Sequence, residues 1–156
     1  MKKRIIFILV LFFSINFWAV IYLLRKQIDN SKKMENKYYT INLLFSQWIL
    51  NQQNQKNIAS YLKKNDFVNV AIYGMGDVGK VLLSELQKNE IDVSYIIDRN
   101  VGEIFLEIPV ITPEDYLDDV DAIIVTPFMQ FLAIKEILQK KVSCPIISIA
   151  DIVRDL

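Results

Sequence analysis

The sequence predicts an α/β fold: an N-terminal transmembrane helix and a helical connector, then a small parallel sheet of about five strands in the order 3-2-1-4-5. Three observations predict it. Residues 5–24 run for twenty positions without a charge, a glycine triplet follows directly on a short apolar strand at 68–73, and strand-like runs then alternate with amphipathic helical ones. The expected divisions are 1–26 for the anchor, 27–66 for the connector and 67–156 for the α/β domain.

A helix of twenty residues rises about 30 Å, the thickness of a bilayer's hydrocarbon core. Ser14 and Asn16 are the strongly polar interruptions of the run, and Trp18 and Tyr22 suit its interface with headgroups. Lys2, Lys3 and Arg4 also resemble the charged start of a secretory signal, but Leu23-Leu24-Arg25-Lys26 offers no small-residue cleavage site. An uncleaved single-pass anchor is expected. Arg25, Lys26, Lys32, Lys33 and Lys37 follow the span, so the positive-inside rule places the C-terminal domain in the cytoplasm.

Formal charge is zero, with 18 basic and 18 acidic residues. Setting aside the five basic residues that flank the apolar run leaves 13 basic against 18 acidic. A net acidic domain without a basic stripe is a poor binder of phosphate backbones, so nucleic acid is not an expected partner. There is one cysteine, Cys144, and no histidine. An intrachain disulfide, a Cys/His zinc site and histidine base catalysis are therefore excluded. Cys144, just before Pro145 and an apolar run, reads as a small buried residue.

The connector reads as helical, since 27–64 contains neither glycine nor proline. Met34, Tyr38, Ile41, Phe45 and Trp48 follow one another at spacings of 4, 3, 4 and 3, a short heptad seam suited to the domain or to a second chain. A polar stretch at 51–55 should break the helix, and a second short one should run over 58–64 with Ile58, Tyr61 and Leu62 inward. Residues 27–64 are thus the candidate surface for a homodimer or for another protein.

The chemistry sits after the first strand. Gly74-Met75-Gly76-Asp77-Val78-Gly79 is G-x-G-x-x-G between a strand and a helix, the context that gives the motif meaning. The first glycine permits the tight turn, the second lets phosphate approach the backbone, and the third lets helix and strand pack closely. The helix places Val78, Leu82 and Leu86 one turn apart with Val81 beside them, and its N-terminal amides would face an anion. A second strand at 93–97 ends at Asp98, nineteen residues beyond Gly79 and close to the position of an acid that binds ribose hydroxyls. Asp77 opposes an anion or else caps the helix, and Lys80 falls on the helix surface. Two readings of the glycines stay open: a ligand turn whose amides are bare, or a turn geometry kept with nothing bound.

Beyond Asp98 an extended piece at 104–110, interrupted by Pro109, suits an edge strand. Thr112-Pro113-Glu114-Asp115 reads as the start of a short helix. A strand at 122–125 closes on Thr126-Pro127, and a helix over 130–140 should turn Leu132, Ile134, Ile137 and Leu138 inward. A last strand covers 145–149 and a last helical turn 151–156. Ligands of such sheets bind at the carboxyl ends of the strands, which gathers the glycine turn, Asp98, Arg99, Thr126 and Pro127 at one edge. Arg99 would cover a base, meet a phosphate or simply be solvated.

With these residues in view, 69–148 resembles the Rossmann-like nucleotide-binding domains of bacterial polysaccharide-biosynthesis proteins. These include the domain preceding the catalytic part of membrane-bound sugar-nucleotide epimerases and dehydratases. The resemblance lies in Ile72-Tyr73 with the glycine turn, Ile96-Ile97-Asp98-Arg99, Ile108-Pro109-Val110 and the stretch from Asp121 to Thr126. In that family an acid often stands at the position of Asp77. The resemblance implies a cytoplasm-facing binder of NAD(P) or a nucleotide-sugar, working in cell-surface glycan assembly. In those enzymes a separate catalytic domain carries a Tyr-x-x-x-Lys pair, and the one such spacing here, Tyr22 to Lys26, lies at the membrane boundary. No catalytic or metal-ligating residue is expected. Three functions follow: a non-catalytic nucleotide-binding accessory or sensor module, an NAD(P)-dependent sugar-nucleotide enzyme drawing on Thr126, Tyr73 or Asp98, and a ligand-free scaffold for a glycosyltransferase.

Overall fold

The computed structural model describes the backbone at residues 2–103 and 107–156, and side chains at 17–102 and 107–156. The chain divides into two compact units, residues 1–43 and Leu44–Leu156. Helix α1 covers Lys2–Gln53, so the first unit is helical throughout its described part. Residues 5–16 of the expected membrane span lie outside the described side chains, and among the described residues no helix is long and apolar enough to cross a membrane.

The second unit begins with the last turns of α1. The polar break falls where the composition predicts it: α1 stops at Gln53, Gln55 takes a left-handed φ of 60°, and α2 follows at Ile58–Lys64. Asn57 caps α2, its side chain accepting from the Ser60 amide at 2.7 Å. Ile58 and Leu62 are fully buried as expected, and Tyr61 only partly. The seam on α1 splits between the units: Met34 and Tyr38 are exposed, whereas Trp48 is buried together with Leu44 and Asn51.

The remaining elements are β1 (Asn69–Tyr73), α3 (Asp77–Lys88), β2 (Asp92–Ile97), β3 (Val110–Ile111), β4 (Ala122–Val125), α4 (Phe131–Leu138), β5 (Ile146–Ser148) and α5 (Ile149–Asp155). All neighbouring strands pair in parallel in the order β3-β2-β1-β4-β5, as the sequence predicts. β1 and β4 are buried almost throughout, which is why they read as unbroken apolar runs. On one face Ala71, Tyr73, Ile97, Ile123 and Val125 pack with Ile134 and Leu138 of α4. Val70 and Ile72 alternate onto the other face, the side of α3. There α2 packs on α3 and α5.

Four expectations need correction. The edge strand is only Val110–Ile111, because Pro109 has no N–H and enters the ladder through its carbonyl, which accepts from Ile96 N at 2.9 Å; positions 104–106 of the expected piece lie outside the described residues. No helix starts at Thr112. The Asp115 carboxyl accepts from the amide and hydroxyl of Thr112 at 2.7 and 2.9 Å, while Lys141 Nζ donates to the carbonyls of Pro113, Glu114 and Asp115 that would have propagated a helix. On α4, Ile134 and Leu138 are inward, but Leu132 and Ile137 point out, since only the i, i+4 pair shares the sheet-facing stripe of so short a helix. On α3 Val81 is exposed, and Glu85 belongs to its buried face instead.

Candidate functional site

The carboxyl end of β1 delivers the chain into the glycine turn. The Gly74 amide still donates to Ile97 O at 2.8 Å, extending the ladder by one rung, and the backbone then turns at φ +92°. A β-carbon at Gly74 would stand 2.8 Å from the Pro127 ring and the Thr126 hydroxyl, and one at Gly79 would stand 2.1 Å from the Gly74 carbonyl oxygen. These two glycines are therefore demanded by the chain's own packing. Gly76 is different. Its φ is an ordinary −71°, and a β-carbon there would meet nothing within 4 Å. The fold leaves space above Gly76 that it does not itself use.

Gly76 is also the residue before α3, and no side chain caps that helix. Asp77, exposed in the first turn, leaves the first-turn amides unbonded by its side chain. Among the described residues, no acceptor of this chain meets the Gly76 amide. The neighbouring Met75 amide is taken: it donates to Asp98 Oδ2 at 2.7 Å. The other carboxyl oxygen, Oδ1, accepts from Asn100 N at 2.9 Å. Asp98 thus ties the tip of β2 to the glycine turn, with one bond on each oxygen and a further lone pair on each for a hydroxyl donor.

Thr126 is buried, and its hydroxyl is shared between the carbonyls of Tyr73 at 3.1 Å and Gly74 at 2.8 Å. It is a brace under the turn. Met75 and Val78 are buried beneath it, and Pro127 closes the far side. In front of these tips lies a cleft of about 500 Å³, lined by Gly74, Asp98, Arg99, Asn100, Pro127 and Gln130, with Ile134 and Ile137 of α4 as an apolar wall. Its volume is in the range of small-molecule sites, about 300–1,000 Å³. Arg99 is exposed at the rim.

The structure therefore brings Gly74, Asp98, Arg99 and Pro127 into one cleft, sets Gly76 and Asp77 exposed at the turn beside it, and turns Met75, Val78, Gly79 and Thr126 to support. No protein-family model, curated protein or solved structure matches this chain. Sequence reasoning missed Asn100, Gln130 and the α4 wall. Asn100 had a signal, since an Asp two residues upstream of a free amide favours an Asx turn. Ile137 had none, because an apolar residue on a short helix reads as core. Among the described residues there is no cluster of groups able to hold a metal ion.

Proposed function

We propose that this chain is a membrane-anchored module that binds a nucleotide or nucleotide-sugar through the turn at Gly76 and the adjoining cleft, without catalysis of its own. The observation that carries this reading is the glycine the fold does not need. Gly74 and Gly79 answer to steric contacts within the chain, whereas Gly76 opens on vacant space beside bare helix amides, the arrangement a phosphate requires. Asp98, with lone pairs to spare, suits a ribose, and Ile134 with Ile137 suits the face of a base. The resemblance noted above favours NAD(P) or a nucleotide-sugar, and a role in cell-surface polysaccharide assembly. Anchoring rests on the uncharged run at 5–24, in which Phe17, Trp18, Val20, Tyr22, Leu23 and Leu24 are exposed. The domain would then face the cytoplasm, where such ligands are found.

One observation favours the ligand-free scaffold instead: the Asp98 carboxyl already occupies the Met75 amide. The enzyme alternative loses its best hydroxyl, because Thr126 is committed to two carbonyls. Thermal-shift measurements on the detergent-solubilised full chain with NAD(H), NADP(H) and UDP-sugars decide the matter. A rise in melting temperature with one of them, abolished by Gly76→Trp, is the expected result. No shift with any ligand, in a protein whose Gly76→Trp variant melts as the parent does, would leave the scaffold.

A further inference from the structure

Residues 17–43 belong to one uninterrupted stretch of α1, and their charges are unevenly placed around its axis. At about 100° per residue, Arg25, Lys26, Lys32 and Lys33 fall within an arc of about 120°, with Lys37 at its margin. All five are exposed. Asp29 is the single acid inside the arc, and among the described residues none of these cations is held in an ion pair. Between residues 24 and 38, Leu24, Ile28, Met34 and Tyr38 lie on the remaining circumference, so along this stretch cations and large apolar groups occupy different sides.

We propose that the arc of Arg25, Lys26, Lys32 and Lys33 is a docking surface for anionic lipid headgroups. The inference rests on the anchoring reading of 5–24. With Leu24 at the edge of the hydrocarbon, Lys32 and Lys33 stand about 12–14 Å above that edge. The headgroup layer accounts for about 5–7 Å of this. Their α-carbons are thus roughly 5–8 Å beyond it, within a Debye length of about 8 Å. Their flexible stems reach back further. An upright, unkinked helix therefore suffices, in keeping with the absence of glycine and proline from this part of α1. Clustered cations beside a span are drawn to anionic lipid and released by salt. A nucleic-acid backbone is the poorer partner, because the chain beyond residue 37 is net acidic.

The test uses the full chain reconstituted in vesicles, with an environment-sensitive fluorophore at Asn36→Cys in a Cys144→Ser background. Flotation first reports whether the chain is anchored. In vesicles containing about one-third phosphatidylglycerol, emission should shift to the blue relative to pure phosphatidylcholine, and the shift should vanish in high salt. It should also be lost in Lys32→Gln/Lys33→Gln. Equal emission in both lipids, from protein that floats with the vesicles, overturns the proposal while leaving the anchor intact. A shift in phosphatidylcholine vesicles that appears only with added single-stranded RNA reassigns the arc and overturns it as well. Protein that floats with neither vesicle overturns the anchor, and this proposal with it.

Discussion

The indole Nε1 of Trp48, near the end of α1, donates to Glu85 Oε2 on α3 at 2.6 Å, across 37 residues of sequence. The same carboxyl group accepts from Gln52 Nε2 at 2.6 Å and, through Oε1, from the Ile58 amide at 2.5 Å. One buried side chain therefore gathers the end of α1, the start of α2 and the middle of α3. Glu85→Ala should strand two buried donors and lower stability by about 2–4 kcal/mol. Chemical denaturation checks this, and a loss below about 0.5 kcal/mol would show that the three bonds are not held in solution.

The three glycines of the turn should separate cleanly. Gly79→Ala sets a β-carbon against backbone and should cost about 3 kcal/mol or more. Gly74→Ala should cost about 1–3 kcal/mol, from its positive φ and the Pro127 ring together. Gly76→Ala should cost well under about 1 kcal/mol, the mild loss of a helix-capping glycine. Denaturant midpoints rank them, and any order with Gly76 the most costly contradicts the open space above it.

The turn at Thr112 should open in acid. Hydrogen bonds from the Thr112 amide and hydroxyl hold the Asp115 carboxyl below its usual 3.8, helped by nearby Lys141. A depressed carboxyl contributes stability that is present above the unfolded value and is lost as pH falls through the folded one. The Thr112 amide resonance should therefore titrate with a midpoint below 3.8, and in Asp115→Asn that titration should disappear.

Tyr95 and Cys144 should both be reluctant to ionise. Burial pushes the Tyr95 phenol up to about 12, and its hydroxyl donates to Asp118 O at 2.7 Å. Its contribution to stability is complete below the unfolded value of 10 and is lost as pH rises towards 12. Phenolate absorbance should show one tyrosine titrating late, and Tyr95→Phe should remove that step. Burial likewise raises the Cys144 thiol, so alkylation at mildly alkaline pH should be slower than for free cysteine.

Strand order, the glycine turn and the end of α1 were legible because each rests on a local rule: an apolar run buried on both faces, a spacing of small residues, a polar break. The role of Glu85 was not legible, since a glutamate on an amphipathic helix reads as solvated until Trp48 is known to face it. The absent helix at Thr112 was equally hidden. Its capping residues are all present, and only Lys141, 26 residues downstream of Asp115, diverts the carbonyls. Asp98 was placed correctly at the sheet edge, but its bond to the Met75 amide depends on side-chain direction, which spacing does not encode.

Both outermost strands are very short, Val110–Ile111 and Ile146–Ser148, and each is preceded directly by a proline, Pro109 and Pro145. An incoming extended chain would find only two or three residues to zip against. Crowding many copies together should therefore not seed fibrillar cross-strand assembly from these margins.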